Sequence, residues 1–252
     1  ELFENKSDSF VSNGNSNSTK DKYFVQDTRK SRLKKLFLEQ KVIGFYLSGH
    51  PINEYSSEIN AMSINKIDTY LKRLYSASSA SNFSENATIS GVITNRRTQR
   101  MGKDKFINIL TVDDSSGRLE VIVYPDIHQQ YQNLIKENEI LFFAGVISID
   151  EYNSGLSLKA TKIFDIENAR SKYSKEIELL LTPDLSNDVL QKIIYLLEPH
   201  KNGKCPLTIK CISNKHIVPL NLDNEWLINP SSTLINSLSD LLGKENIIVK
   251  YQ

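Results

Sequence analysis

The chain has 252 residues, 24% of them charged, and its 31 basic and 30 acidic side chains leave a net charge of +1. That length accommodates two small domains with connectors. The near balance excludes a global cationic field, so any hold on nucleic acid falls to a local patch. No run of roughly 18 or more apolar residues occurs, and the first residues are polar and acidic, which argues against a membrane span and a signal peptide.

The chain opens on Glu1 and not Met, which reads as a piece of something longer. Leu2 and Phe3 form a stranded apolar pair ahead of "ENKSDSFVSNGNSNSTKDK" (4–22), a Ser/Asn/Lys-rich stretch too polar to offset its ordering entropy and therefore expected to be a flexible linker. From Ser31 to about Tyr46 a loose helical spacing places Leu33, Leu36, Phe37, Gln40 and Ile43 on one face. Gly44 interrupts or ends that helix. "SGHP" then reads as a turn, because the residue before a proline is driven out of the helical region. Residues 56–75 read as a further short helical piece, and "SASSASNFSEN" (76–86) as a loop at a domain boundary. A helical connector is thus expected over 27–84.

Three strand-like runs follow: "ATISGVITNRRTQ" (87–99), "DKFINILTVDD" (104–114) and "GRLEVIVY" (117–124), rich in β-branched residues and divided by turns at Gly102 and "SSG". Pro125 suits a first helical position, and Ile127, Tyr131, Leu134 and Ile135 line one face of the next segment. "ILFFAGVISID" and "LSLKATKIF" supply two more strands. Three strands, a helix and two strands is the order of an OB-fold, a five-stranded barrel, here over 85–170. After a charge-mixed helix near 167–175, the stretch 171–252 reads as a small α+β domain. It holds the strand "EIELLLT", a helix with Leu190, Ile193, Ile194 and Leu197 inward, and a hairpin of "CPLTIKCI" and "HIVPLNL". A helix with a serine cap and a Gly243 stop, and the closing strand "NIIVKY", complete it.

The loop "RRTQRMGKDK" between the first two barrel strands carries Arg96, Arg97, Arg100, Lys103 and Lys105 against the single acid Asp104. In an OB-fold this loop rims the binding face. Cations there can follow phosphates, and Phe106 and Tyr124 are candidate stacking platforms worth about 1–3 kcal/mol per base unless they face the core. If all five cations met phosphates on a single strand, the salt slope would reach about −3.5. Asp113 and Asp114 read as turn-forming acids, since adjacent residues entering a turn do not converge on two metal ions. His50, His128, His200 and His216 are scattered, with no nucleophile beside them and no phosphate loop in the chain, so no catalytic residue is expected. Trp226 reads as a packing anchor in the last domain. Cys205 and Cys211, if they share a strand, lie about 20 Å apart on one face. That is beyond disulfide reach, and no Cys/His spacing suits zinc. No metal or cofactor is expected, and a reducing cytoplasm fits.

"KVIGFYLSGHPINEY", "LTVDDSSGRLEVIVYPDIHQQYQNLI", "ISIDEYNSGLSLKATKIFDIENAR", "LEPHKNGKCPLTI" and "WLINPSSTLINSLSDLLGKENIIVKY" resemble, in order, segments of the bacterial replicative DNA polymerase III alpha subunit in its proteobacterial form. The resemblance runs from about residue 33 to the end. It implies that His50 lies in the turn feeding the barrel, that the barrel binds single-stranded template DNA, and that the last domain docks the tau subunit of the clamp loader. "ELF" resembles the last three positions of that family's clamp-binding motif, which implies Leu2 and Phe3 as plugs for the sliding clamp, with the motif's Gln lying upstream. The family's nucleotidyltransferase activity resides in an acidic palm, and its phosphoesterase-like domain carries metal-site histidines. Neither has a counterpart in these residues, so the remainder of the alpha subunit is an implied partner. "FINILTVDDSSGRLEVIV" also fits the anticodon-binding barrel of aspartyl-, asparaginyl- or lysyl-type aminoacyl-tRNA synthetases, although a large catalytic domain would follow there. A stand-alone single-strand-binding protein is the third reading.

Overall fold

A computed structural model describes residues 28–76, 83–101, 105–149, 155–182, 185–213 and 216–251. Leu2 and Phe3, the 4–22 segment and Lys103 lie outside them. The first helix, α1, runs Thr28–Ile43. It ends at Gly44, whose φ of +90° suits a residue without Cβ and whose N–H bonds the Gln40 carbonyl at 2.8 Å. Leu36 is buried and Leu33, Phe37 and Gln40 are half-buried. Ile43, expected on the same face, is 47% exposed. The helix packs on the 3₁₀ turn Pro51–Tyr55, and its last turn is left uncovered. Gly49 (φ +134°) and the extended His50 make the predicted turn before Pro51. The short helices α2 (Ser56–Ala61) and α3 (Ile67–Ser76) complete the connector.

The next five strands are β1 (Ser84–Met101), β2 (Lys105–Asp113), β3 (Arg118–Val123), β4 (Ile140–Ile149) and β5 (Leu156–Phe164). They close a barrel in the order β1-β2-β3-β5-β4, with β3 and β5 parallel and every other pair antiparallel. This is the OB-fold read from the sequence. Period-two alternation sends Ile89, Leu110, Val121, Phe143 and Leu158 inward, each 0% exposed. Helix α4 (Pro125–Tyr131) is shorter than its apolar spacing suggested, yet Ile127, Tyr131, Leu134 and Ile135 all pack on this core. Ile67 and Tyr70 of α3 join it as well. A second core lies between connector and barrel, where Ile52, Ile59, Met62 and Ile64 meet Phe142, Phe164 and Ala169.

Helix α5 (Ile166–Tyr173) leads into the last domain. Its sheet has the order β10-β6-β8-β9, made of β6 (Ser174–Leu181), β8 (Leu207–Ser213), β9 (His216–Asn221) and β10 (Ile247–Tyr251). The expected hairpin is β8–β9, with Thr208 opposite Asn221. Helices α6 (Asn187–Leu197) and α7 (Ser232–Leu242) lie against the core of Ile177, Leu179, Leu181 and Leu207. Ser231 caps α7 by accepting the Leu234 N–H, and Gly243 ends it at φ +89°.

Two expectations fail here. Pro206 separates Cys205, at the end of β7 (Lys201–Cys205), from Cys211 in β8, so the cysteines do not share a strand; both are free. On α6 the inward residues are Val189, Ile193, Leu196 and Leu197, whereas Leu190 and Ile194 are 38% and 44% exposed. Apolar residues occupy more of that helix's circumference than one sheet can cover, so the pattern alone offers two adjacent faces.

The three parts are tied at Arg170, on α5 and 3% exposed. Its guanidinium grips Glu58 of α2 through Nε and Nη2, donates to Ser232 Oγ at the start of α7, and lies 3.6 Å from Glu167. Tyr251 of β10 donates to the same Glu58 carboxylate at 2.5 Å, and Glu167 accepts the Ser232 N–H. Burial and the Glu58 charge push the Tyr251 hydroxyl far above the ordinary phenol range.

Candidate nucleic-acid interface

β1 serves two partners in succession. Ser84–Val92 pairs with β4, and Val92–Met101 pairs with β2. β2 in turn pairs with β3 only over Asn108–Asp113, so residues 99–101 and 105–107 form a two-stranded arm projecting from the barrel. The charged stretch read as a loop is therefore mostly strand. Beyond the register shift at Ile93/Asn95, the β1–β2 ladder runs unbroken from Asn95 to Met101 and carries the pairing outward.

Because the arm is strand, alternation sorts its cations. Arg96, Thr98 and Arg100 stand opposite Leu110, Asn108 and Phe106, and Leu110 is wholly inside the barrel. That face continues the barrel interior over the end occupied by α4. Arg96 donates to Asn108 Oδ1 from Nε (3.2 Å) and Nη2 (3.0 Å), and Nη2 lies 3.0 Å from His128 Nε2 on α4. Burial, and then the Arg96 charge, hold the His128 pKa below the usual imidazole value, so that ring accepts from Arg96. Arg100 is exposed, and Phe106 beside it is 52% exposed.

Arg97 points to the other face, with Gln99 and Met101. There it forms a two-pronged pair with Glu120 of β3, at 2.9 and 3.0 Å. Lys105 stands opposite Met101 in the ladder. Tyr124 is half-buried at the N-cap position of α4, beyond the end of β3. The structure thus brings Arg96, Arg100 and Phe106 together and sets Arg97 apart. Of the residues that orient Arg96, Asn108 was not singled out from sequence and His128 was weighed only as a catalyst. Reading 96–101 at a period of two would have separated the two arginine sets.

The opposite end of β2 holds the turn acids and explains His50. Asp113 Oδ1 accepts the Ser115 N–H at 2.9 Å, and Asp114 Oδ1 accepts the Ser116 and Gly117 N–H groups. Asp114 Oδ2 also takes the first N–H of α3, from Ile67, at 2.8 Å. Nδ1 of His50 accepts the Ile52 N–H, leaving Nε2 3.2 Å from Asp113 Oδ1. Burial alone would raise the Asp113 pKa. Hydrogen bonds from His50, Arg118 and the Ser115 N–H outweigh it and hold the carboxyl well below the usual range. His50 is a clasp between turn and barrel. Trp226 packs on the last core with Lys201 Nζ 3.6 Å above its ring. Among the described residues no cluster of His, Cys, Asp and Glu is placed to hold a metal ion, and no helix is long and apolar enough to cross a membrane.

Comparison with known proteins agrees with the barrel fold. The family model "DNA polymerase III subunit alpha, C-terminal domain" matches residues 192–243, and the model "OB-fold nucleic acid binding domain" matches 87–166. The DNA polymerase III subunit alpha of Pseudomonas fluorescens is 31% identical over 227 residues, 89% of this chain and 18% of that protein. That of Vibrio cholerae is 27% identical over 214 residues, 84% of this chain and 18% of that protein. The chain therefore spans 18% of the length of these curated relatives. Among solved structures, the second single-stranded DNA binding protein of Mycobacterium smegmatis aligns with 34% of this chain and 92% of that one, at 20% identity and a TM-score of 0.30.

Proposed function

We propose, from its resemblance to the C-terminal region of the DNA polymerase III alpha subunit, that this chain is a non-catalytic part of such a cytoplasmic subunit and holds single-stranded DNA during replication. The observation that carries the reading is the joint placement of Arg96, Arg100 and Phe106 on one face of an arm rising from an OB barrel. Guanidinium groups there meet phosphates, and the exposed ring offers any base a surface to stack on. Arg96, braced by Asn108 and His128, is pre-oriented, so less entropy is lost on contact.

Fluorescence anisotropy with labelled oligonucleotides tests this. Phe106→Ala weakens binding by about 1–3 kcal/mol, roughly five- to 150-fold. Arg100→Ala lowers the magnitude of the salt slope by about 0.7. Salt-insensitive binding, or none at all, removes the DNA reading. Partner docking is part of the same proposal. Leu2 and Phe3 would plug the sliding clamp, and the exposed Leu190, Ile194 and Tyr195 of α6 would face tau. Leu190→Glu with Ile194→Glu should abolish capture by tau while leaving DNA affinity unchanged.

A further inference from the structure

Among the described residues, the densest uncovered apolar surface lies at the end of α1 and in the turn after it. Leu38, Val42, Ile43, Phe45 and Leu47 are 61%, 81%, 47%, 56% and 68% exposed. Five large apolar side chains exposed within ten residues of chain make this stretch a candidate interaction surface. The display is rigid. Glu39, inside the helix, accepts the Leu47 and Ser48 N–H groups at 3.0 and 2.8 Å and the Ser48 hydroxyl at 2.5 Å, tying the turn back onto α1. Those bonds lower the Glu39 pKa, the Ser48 hydroxyl contributing most. From the other side His50 fastens the turn to Asp113. Phe45 and Leu47 are thus held outward by two anchors, which lowers the entropy cost of docking.

Lys34, Lys35 and Lys41 are the basic residues of α1 nearest the patch, while Arg32, further back, pairs with Glu54 of the 3₁₀ turn at 3.1 Å. α1, "TRKSRLKKLFLEQKVI", has six basic residues and one acid, and that acid is Glu39, already spent on the turn. A complementary surface is apolar with an acidic rim. The matched relatives are over five times longer than the aligned stretch, and the model named for their C-terminal domain falls on residues 192–243. Most of a relative's remaining length therefore precedes the region equivalent to this chain, on the side where α1 lies. A covalently linked partner docks at high effective concentration and needs only a modest patch.

We infer that the α1–turn surface is the seat on which the preceding part of an alpha-type polypeptide packs, through an apolar area with an acidic rim. The inference rests on the alpha-subunit reading above. Hydrogen exchange of residues 31–48 is measured in this chain and in the longer polypeptide that contains it. Exchange is expected to slow by about tenfold or more in the longer polypeptide. Val42→Glu with Phe45→Glu should return it to the rate in the short chain without changing the circular dichroism of either. Equal exchange in both forms overturns the inference and leaves the DNA reading standing. Concentration-dependent dimerisation of the short chain that the double variant abolishes also overturns it, by making a second copy the occupant. A gene with no polymerase-like sequence ahead of α1 sinks the alpha reading itself, and this inference with it.

Discussion

Replacing Arg170 by Met tests whether connector, barrel and last domain behave as one unit. The Arg170 side chain is 4% exposed and that of its partner Glu58 15% exposed. Methionine keeps most of the volume, so the loss is mainly electrostatic. Glu58, half-buried, loses its guanidinium partner but keeps the Tyr251 hydroxyl, and Ser232 loses the guanidinium that approached its hydroxyl. Removing one partner of a buried pair costs about 3–5 kcal/mol. At roughly 2–4 °C per kcal/mol for a chain of this size, the midpoint falls by about 10 °C. Calorimetry should also resolve a separate, earlier transition for the last domain, because the same side chain ties α2 to α7. Adding Glu58→Gln should recover part of the loss, since the stranded charge disappears with its partner. A cost below about 1 kcal/mol, or strict additivity of Arg170→Met with Glu58→Gln, refutes the account of Arg170 as the joint.

At Asp113 the folded-state pKa is depressed, so its stabilising contribution is complete above the ordinary carboxylate value, about pH 4, and is lost as pH falls below it through the folded value. Urea midpoints of the wild type should drop across that acid window, and Asp113→Asn should flatten this component while costing about 1–3 kcal/mol at neutral pH. In Gly145→Ala the new Cβ would stand 2.0 Å from the Lys159 carbonyl oxygen, so the β4–β5 backbone must separate. A loss of roughly 3 kcal/mol or more in denaturant titration is expected, whereas a neutral result would mean the strands are less tightly apposed. Glu120→Gln frees Arg97 from its carboxylate and should tighten oligonucleotide binding at low salt, while Arg97→Ala in the wild-type background stays within about twofold, the scale of an exposed ion pair. A large loss in Arg97→Ala would place the strand on the outer face of the arm instead.

The barrel was legible because two signals agree along each strand. Alternation fixes which residues turn inward, and short turn motifs fix where the chain reverses. Ile89, Leu110 and Val121 are buried for the reason the pattern gave. The caps of α7 and the stop at Gly44 were equally local, a serine oxygen and a positive φ. What stayed hidden depends on partners distant in sequence. Glu58 and Arg170 are 112 positions apart, and no spacing rule links them. His50 and Asp113 were each read correctly as turn residues, yet the clasp between them exists only once the connector folds onto β2.

The candidate site was half legible for a different reason. Charge density drew attention to residues 96–105 as a cationic rim, but charge was also what made the segment look like loop. Once β1 is continued to Met101, the same sequence divides itself, Arg96 and Arg100 going with Phe106 and Arg97 going with Glu120. Counting five cations as one patch overstates the field a strand would meet, because the outer arginine is already neutralised. Affinity should therefore follow the inner face, and the salt slope should fall short of the value that five phosphate contacts would give.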